Sequence, residues 1–298
     1  MLHIIQTALE LGCIYSLVTL ALFLSYRVLD IADLTTDGCF VLGMAVSVSA
    51  AAAGHPFAGI VLAVLSGGCA GFVTAFLQTR LGVPSILAGI VTNTGLYTVN
   101  LMAMGWSSNV SLLKSATIFT LFRKTGIGGS WYTIILSGTV SILCMLLMKW
   151  FMGTRLGLSV RATGDNRDMV SASSINPKFT ITVGLSAANC LTALSGAIAG
   201  QLQKSADINA GTGIVVIGLA CLIIGETVTA GRKSIGRNIA ACLAGNIIYR
   251  FIYAMILQTR IIPIECLKLM TALIVALAIA SPQIRQSLSD RNRARREA

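Results

Sequence analysis

Three aspartates stand where apolar runs break: Asp33 and Asp37 in Asp33-Leu-Thr-Thr-Asp37-Gly38, and Asp207 in Asp207-Ile-Asn-Ala-Gly-Thr-Gly213. A carboxylate in such a place can coordinate a solute's amino group, or it can cap the free N–H groups of a helix that begins beside it. Asn93, Thr94, Tyr97 and Asn100 recur at helical spacing, with Asn93, Tyr97 and Asn100 on one face. If that helix crosses a bilayer, the face must turn to protein or to a water path. Asn189, with Ser195 and Gln201, forms a second set of the same kind. Lining a path, these amides and the phenol suit a polar or aromatic amino acid. Packed between helices, they are hydrogen-bonding glue. Arg250 and Glu265 are open to the same two readings, as an ion pair or as a solute clamp.

No catalytic constellation accompanies them. The sequence has no G-x-S-x-G, no H-E-x-x-H and no G-x-x-x-x-G-K-[ST]. Gly231-Arg-Lys-Ser234 lacks the upstream glycine a phosphate loop needs, so this chain is not expected to bind or hydrolyse ATP. The eight cysteines are scattered singly through apolar runs, far in sequence from His3 and His55. That spacing suits small buried hydrophobes better than metal ligands or disulfides.

The elements that must position these residues are membrane helices. Of 298 residues only 11 % are charged while 55 % are apolar, and the mean hydropathy is +0.81. A soluble chain of this length needs far more charge to coat its cores. The expected fold is all-α and polytopic, with about nine spans near 4–25, 38–54, 57–78, 84–105, 131–151, 179–200, 212–230, 236–257 and 262–281. His55-Pro56, Gly82-Val83-Pro84, Asn176-Pro177 and Ile262-Pro263 interrupt helix continuation between or inside them. The first run lacks a basic leader and holds Glu10, so it reads as a retained span.

The net charge of +11 would suggest nucleic acid in a soluble domain, but here the cations lie between spans and set topology. The basic linker 153–178, Arg232-Lys233 with Arg237, and the tail 284–298 belong in the cytoplasm. The N-terminus is then outside and the C-terminus inside. Residues 106–130 form the longest external segment, mixing apolar residues with Lys114, Arg123 and Lys124 as an interfacial helix does. It reads as a rim seal or as a docking shelf. The stretch from Asp33 to Ala45 resembles that from Asp207 to Ala220 with one inserted residue. The two point in opposite directions, as inverted repeats with broken helices require.

Linker 153–178 is the most informative. Gly164-Asp165-Asn166 can start a short helix over Arg167–Ser174, with Asp165 or Asn166 capping it and Met169, Val170 and Ala172 on one side. Arg161-Ala-Thr-Gly164-x-Asn166 followed by Ser-Ile-Asn-Pro-Lys178 resembles the coupling segment of ABC-importer permeases of the branched-chain amino acid and ribose type. Gly211-Thr-Gly213 with Gly218-Leu-Ala220 through Gly225-Glu226 resembles that family's next block, although many relatives carry Gly-Gly at 225–226. The runs Leu87–Gly105 and Asp33–Gly38 resemble most the subgroup paired with a type I-like binding protein for tryptophan or tyrosine.

The resemblance implies a transmembrane permease domain over 1–283 and a basic cytoplasmic tail over 284–298, in a bacterial inner membrane. Its implied partners are ABC ATPase subunits, a second copy of this chain, an extracytoplasmic solute-binding protein and membrane lipid, with no nucleic acid. ATP and Mg belong to the ATPase, and no cofactor to this chain. Carried over by position, Arg161, Gly164, Asp165, Asn166, Arg167, Met169 and Val170 couple to the ATPase. Asp33, Asp37, Asn93, Tyr97, Asn100, Asn189 and Asp207 are the candidates for the translocation path. The alternative is a proton- or sodium-coupled secondary transporter, which would also use inverted repeats and buried aspartates but has no need of a capped basic helix. A non-transporting membrane enzyme or scaffold is a third reading, opposed by the lack of clustered His, Glu or Asp.

Overall fold

The computed structural model describes residues 2–113, 115–124, 126, 129–229, 234–258 and 276. The expected span 262–281, with Glu265 and Lys268, therefore lies outside the described residues. So do Lys114, Arg232, Lys233 and the tail 284–298.

The chain is a bundle of α-helices. Helix α1 (Leu2–Leu22) runs into a π-helical turn, Phe23–Val28. A seven-residue connection leads to α2 (Thr36–Ala52), followed by α3 (Pro56–Thr79) and α4 (Ser85–Ala103). Next come strand β1 (Asn109–Ser111), the short α5 (Ile118–Lys124) and α6 (Tyr132–Gly153). Helices α7 (Arg155–Asp165) and α8 (Arg167–Ala172) form the linker, and α9 (Pro177–Gln203) follows. Strand β2 (Ser205–Asp207), α10 (Ile214–Val228) and α11 (Ile235–Gln258) complete the described chain. The prolines fall where the sequence places them: Pro56 and Pro177 open α3 and α9, where a missing N–H costs nothing, and Pro84 immediately precedes α4.

Six helices are long and apolar enough to cross a membrane: Ile5–Val28, Pro56–Thr79, Ser85–Ala103, Tyr132–Gly153, Pro177–Gln203 and Ile235–Ile256. Among the described residues six of the expected nine runs therefore meet that length. The runs at 38–54 and 212–230 give helices of 17 and 15 residues. At 1.5 Å per residue these rise roughly 25 and 22 Å, short of the ~30 Å hydrocarbon core. Each is preceded by irregular chain, 29–35 before α2 and 208–213 before α10.

Helices α1, α2 and α3 pack reciprocally with α9, α10 and α11. Helix α9 lies against α2 and α3, while α1 lies against α10 and α11; α2 also packs on α3, and α10 on α11. Phe40, Leu17, Leu20, Leu24 and Met44 fill the middle. The outer helices turn large apolar side chains away from the protein, among them Phe57, Leu65, Leu146 and Trp150. Such an outward apolar surface is what a hydrocarbon solvent requires.

Segment 106–130 contains a strand and a short helix in place of the one interfacial helix expected. Strand β1 pairs antiparallel with β2, Val110 opposite Ala206, and α5 has only seven residues. Leu112 and Phe119 are buried in the core, and the backbone N–H of Ile118 donates to Gln201 Oε1 at 2.9 Å. This anchoring ties the segment to the end of α9.

Candidate translocation cleft and coupling surface

The two irregular stretches, 29–35 and 204–213, end at one another. Asp37 sits in the first turn of α2, and its carboxylate accepts the backbone N–H of Gly213 at 3.1 Å and of Val215 at 2.9 Å. Those N–H groups are donors that the start of α10 cannot satisfy internally. Asp33 is buried; its Oδ1 accepts the N–H of Thr35 at 2.9 Å and its Oδ2 accepts Asn189 Nδ2 at 2.7 Å. Asp207 makes the same local turn, accepting the N–H of Asn209 at 2.8 Å. The resemblance between the segments is therefore matched by a shared backbone device, an aspartate bonded two residues ahead.

Beside these starts lies a cleft of about 360 Å³. Asp37, Gly38 and Val41 of α2 form one side, and Asn93, Thr94, Tyr97 and Asn100 of α4 another. The second break closes it with Ile208, Asn209, Gly211 and Thr212. Asn100 donates through Nδ2 to the carbonyl of Gly38 at 3.1 Å, which leaves its buried Oδ1 without a partner among the described residues. Gly38 brings α2 close to α4, and a Cβ there would push the Asn93 side chain aside. Tyr97 is 53 % exposed, with its ring on the open side.

Four of the seven candidates are thus brought together: Asp37, Asn93, Tyr97 and Asn100. Asp33, Asn189 and Asp207 do not line this cleft. Asn189 is buried with Asp33, Ser195 Oγ donates to the carbonyl of Ile14, and Gln201 bonds Ser47 and the carbonyl of Pro56. Each member of that second polar set thus bonds to a neighbouring segment, while Asn189 Oδ1 is buried without a partner among the described residues. Asn209 and Thr212 escaped the sequence reading; their signal was membership of the same polar break as Asp207.

At the far end, the linker is two helices instead of one. Thr154 caps α7, accepting the N–H of Gly157 at 3.2 Å, and Asp165 is the last residue of α7. Asn166 caps α8, accepting the N–H of Met169 at 3.0 Å. Helix α8 stops at Ala172, before Ser174, whose φ is 58°. The expected shared face of Met169, Val170 and Ala172 does not form. Val170 is buried against the protein, whereas Met169 is 55 % exposed, because adjacent positions on a helix diverge by about 100°.

Arg167, Asp168 and Met169 form the outward surface. Arg161 and Asp165 instead line a second cleft, of about 390 Å³, with Arg27, Val28, Ser234 and Asn238. Gly164 sits on the π-helical turn, where any Cβ would strike the carbonyl oxygen of Val28. Thr163 and Thr180 hydroxyls meet at 2.7 Å and fix α7 to α9. Above this junction Arg27 Nε and Nη2 donate to Glu226 Oε1 and Oε2, both at 2.9 Å. Glu226, the departure from Gly-Gly, thus has a bidentate partner. No group of three or more metal-ligating side chains occurs among the described residues.

Over residues 4–280 the chain matches the family described as the permease component of the branched-chain amino acid transport system. The chain belongs to this family. It is a permease subunit of the ABC transport type, a multi-pass membrane protein and not itself an enzyme. A tyrosine transport system permease protein of Clostridioides difficile (strain R20291) is 30 % identical over 280 residues, covering 94 % of this chain and 91 % of that protein. An uncharacterized protein of Rickettsia prowazekii (strain Madrid E) is 31 % identical over 285 residues, covering 94 % and 98 %. The D-allose transport system permease protein of Escherichia coli (strain K12) is 28 % identical over 220 residues, covering 72 % of this chain and 64 % of that protein. No solved structure matches.

Proposed function

We propose that this permease passes a small amino-acid-like solute, delivered by an extracytoplasmic binding protein, into the cytoplasm of a bacterium. Two copies form the pore and two ATPase subunits drive it; ATP and Mg sit on the ATPases. In this reading the described helices, with 262–281 as a further span, make nine membrane elements in inverted halves. The C-terminus and the α7–α8 linker face the cytoplasm. The observation that carries the reading is the cleft between the starts of α2 and α10, with α4 supplying amides and a phenol. Amides satisfy a zwitterion's polar ends without trapping it, and Tyr97 offers an aromatic face.

Helices α7 and α8 are the coupling element. Gly164 against Val28 and the Thr163–Thr180 contact join α7 to the base of α1 and to α9. A push on the outward surface of α8 therefore reaches the helices that hold the cleft. Force on a two-state element, not chemistry on this chain, moves the solute. The ion-coupled alternative would need a carboxylate free to exchange a proton or bind sodium. Asp33, Asp37 and Asp207 each already accept backbone N–H groups.

The test is reconstitution of the full assembly with Arg161→Glu and Asn166→Ala combined. ATP hydrolysis should continue while solute uptake collapses. Uptake by the purified chain with no ATPase present would sink the importer reading.

A further inference from the structure

A groove of about 870 Å³ runs between the last turns of α3 and the first turns of α9, away from both clefts described above. Its wall is aromatic and aliphatic: Phe72 and Phe76, stacked at 6.4 Å between centroids, face Phe179 and Val183. Phe72, Phe76 and Phe179 are 53, 45 and 55 % exposed, an arrangement that lipid or a partner must cover. At one end of the groove stand two cations, Arg80 and Lys178. No carboxylate lines it, and neither cation takes part in a salt bridge among the described residues.

We propose that this groove binds an anionic phospholipid of the cytoplasmic leaflet, its phosphodiester headgroup held by Arg80 and Lys178 and its acyl chain laid along Phe72, Phe76 and Phe179. The leaflet rests on the orientation argued under Proposed function. Apolar wall and cationic mouth occur in the order in which an inner-leaflet lipid presents tail and phosphate. Arginine can fork two N–H groups onto a phosphate, and lysine adds a point charge beside it. A second copy of the chain is a poorer occupant. A two-fold contact uses the same patch on both copies, and this patch brings two cations and no acid of its own to such a contact.

The experiment uses the full-length chain in mild detergent, stripped of lipid and mixed with equal amounts of phosphatidylglycerol and phosphatidylcholine bearing identical acyl chains. Native mass spectrometry then counts the lipid retained. Phosphatidylglycerol is retained preferentially, and Arg80→Gln with Lys178→Gln cuts that preference roughly tenfold or more. The charge-preserving pair Arg80→Lys and Lys178→Arg keeps it. Arg123→Gln with Lys124→Gln, which removes two charges at the end of α5, also keeps it.

A preference unchanged by the first pair, or lost equally with the Arg123 and Lys124 pair, overturns the proposal. So does a shift in the monomer–dimer ratio by the first pair with lipid retention unaltered, which assigns the groove to a second copy. The measurement needs neither ATPase nor solute. A chain that prefers phosphatidylglycerol but never associates with an ATPase would overturn the importer reading and support the groove; the converse would overturn the groove alone.

Discussion

The carboxylate of Asp37 accepts the backbone N–H of Val215 at 2.9 Å, so a side chain in the first turn of α2 caps the first turn of α10 from 178 residues away. Both helices are too short to cross the membrane alone, and this contact sets their starts at one level. It also joins the two halves of the molecule at the edge of the cleft. A displacement of either break is therefore passed to the other without an intervening side-chain chain.

Removing that cap should be felt in stability as well as in transport. Asp37→Ala leaves the N–H groups of Gly213 and Val215 without their acceptor at the edge of the cleft, at a cost of about 1–2 kcal/mol. Asp37→Asn retains one acceptor oxygen and should lose less. Thermal unfolding of the purified chain in detergent should order the three proteins as wild type, Asn, Ala. An Ala variant as stable as wild type would show that the cap is replaced by water.

How much of this was legible beforehand depended on range. The helix starts at Pro56, Ser85 and Pro177 follow from local rules, because proline acts on its own neighbours. The cap of α8 by Asn166 was local too. What escaped was long-range. Nothing near Asp37 says that its partners are Gly213 and Val215, and nothing near Glu226 names Arg27. Apolar length alone did not show that the runs at 38–54 and 212–230 would give helices of only 17 and 15 residues. The shared face expected for Met169 and Val170 fails on a local rule, since adjacent helix positions lie about 100° apart, while which of the two is buried depends on what α8 packs against. Of the candidate path, the α4 set was readable as a face, but only packing separated it from the look-alike set of Asn189, Ser195 and Gln201.

Gly164 offers a test of the coupling junction. Gly164→Ala puts a methyl into the carbonyl of Val28, and the resulting overpacking should cost about 1–3 kcal/mol or shift α7 off the π-helical turn. Solute-stimulated ATP hydrolysis in the full assembly should fall, with basal hydrolysis less affected. Gly153→Ala is the control: nothing lies within 4 Å of a Cβ there, so its effect should be near zero.

The Arg27–Glu226 pair should behave as a modest link. Its side chains are 32 % and 18 % exposed, so solvent screens part of the attraction. A double-mutant cycle with Arg27→Ala and Glu226→Ala should give a coupling of about 0.5–1 kcal/mol, falling at high salt. Charge exchange, Arg27→Glu with Glu226→Arg, should recover activity lost in either single exchange. Two singles whose effects simply add would remove this pair from the junction.

Tyr97 and Asn100 separate path from packing within one helix. Asn100 is buried and donates to the carbonyl of Gly38, so Asn100→Leu removes this bond between α4 and α2 and should destabilise the chain by about 0.5–1.5 kcal/mol. Tyr97 presents an exposed ring to the cleft and has no such structural duty, so Tyr97→Ala should change stability by less than about 0.5 kcal/mol. If the cleft is the solute's route, Tyr97→Ala should nevertheless lower the uptake rate severalfold in the reconstituted assembly, and Tyr97→Phe should restore most of it by returning the ring. Wild-type uptake in Tyr97→Ala would move the route elsewhere and leave the α4 face as a lipid or subunit contact.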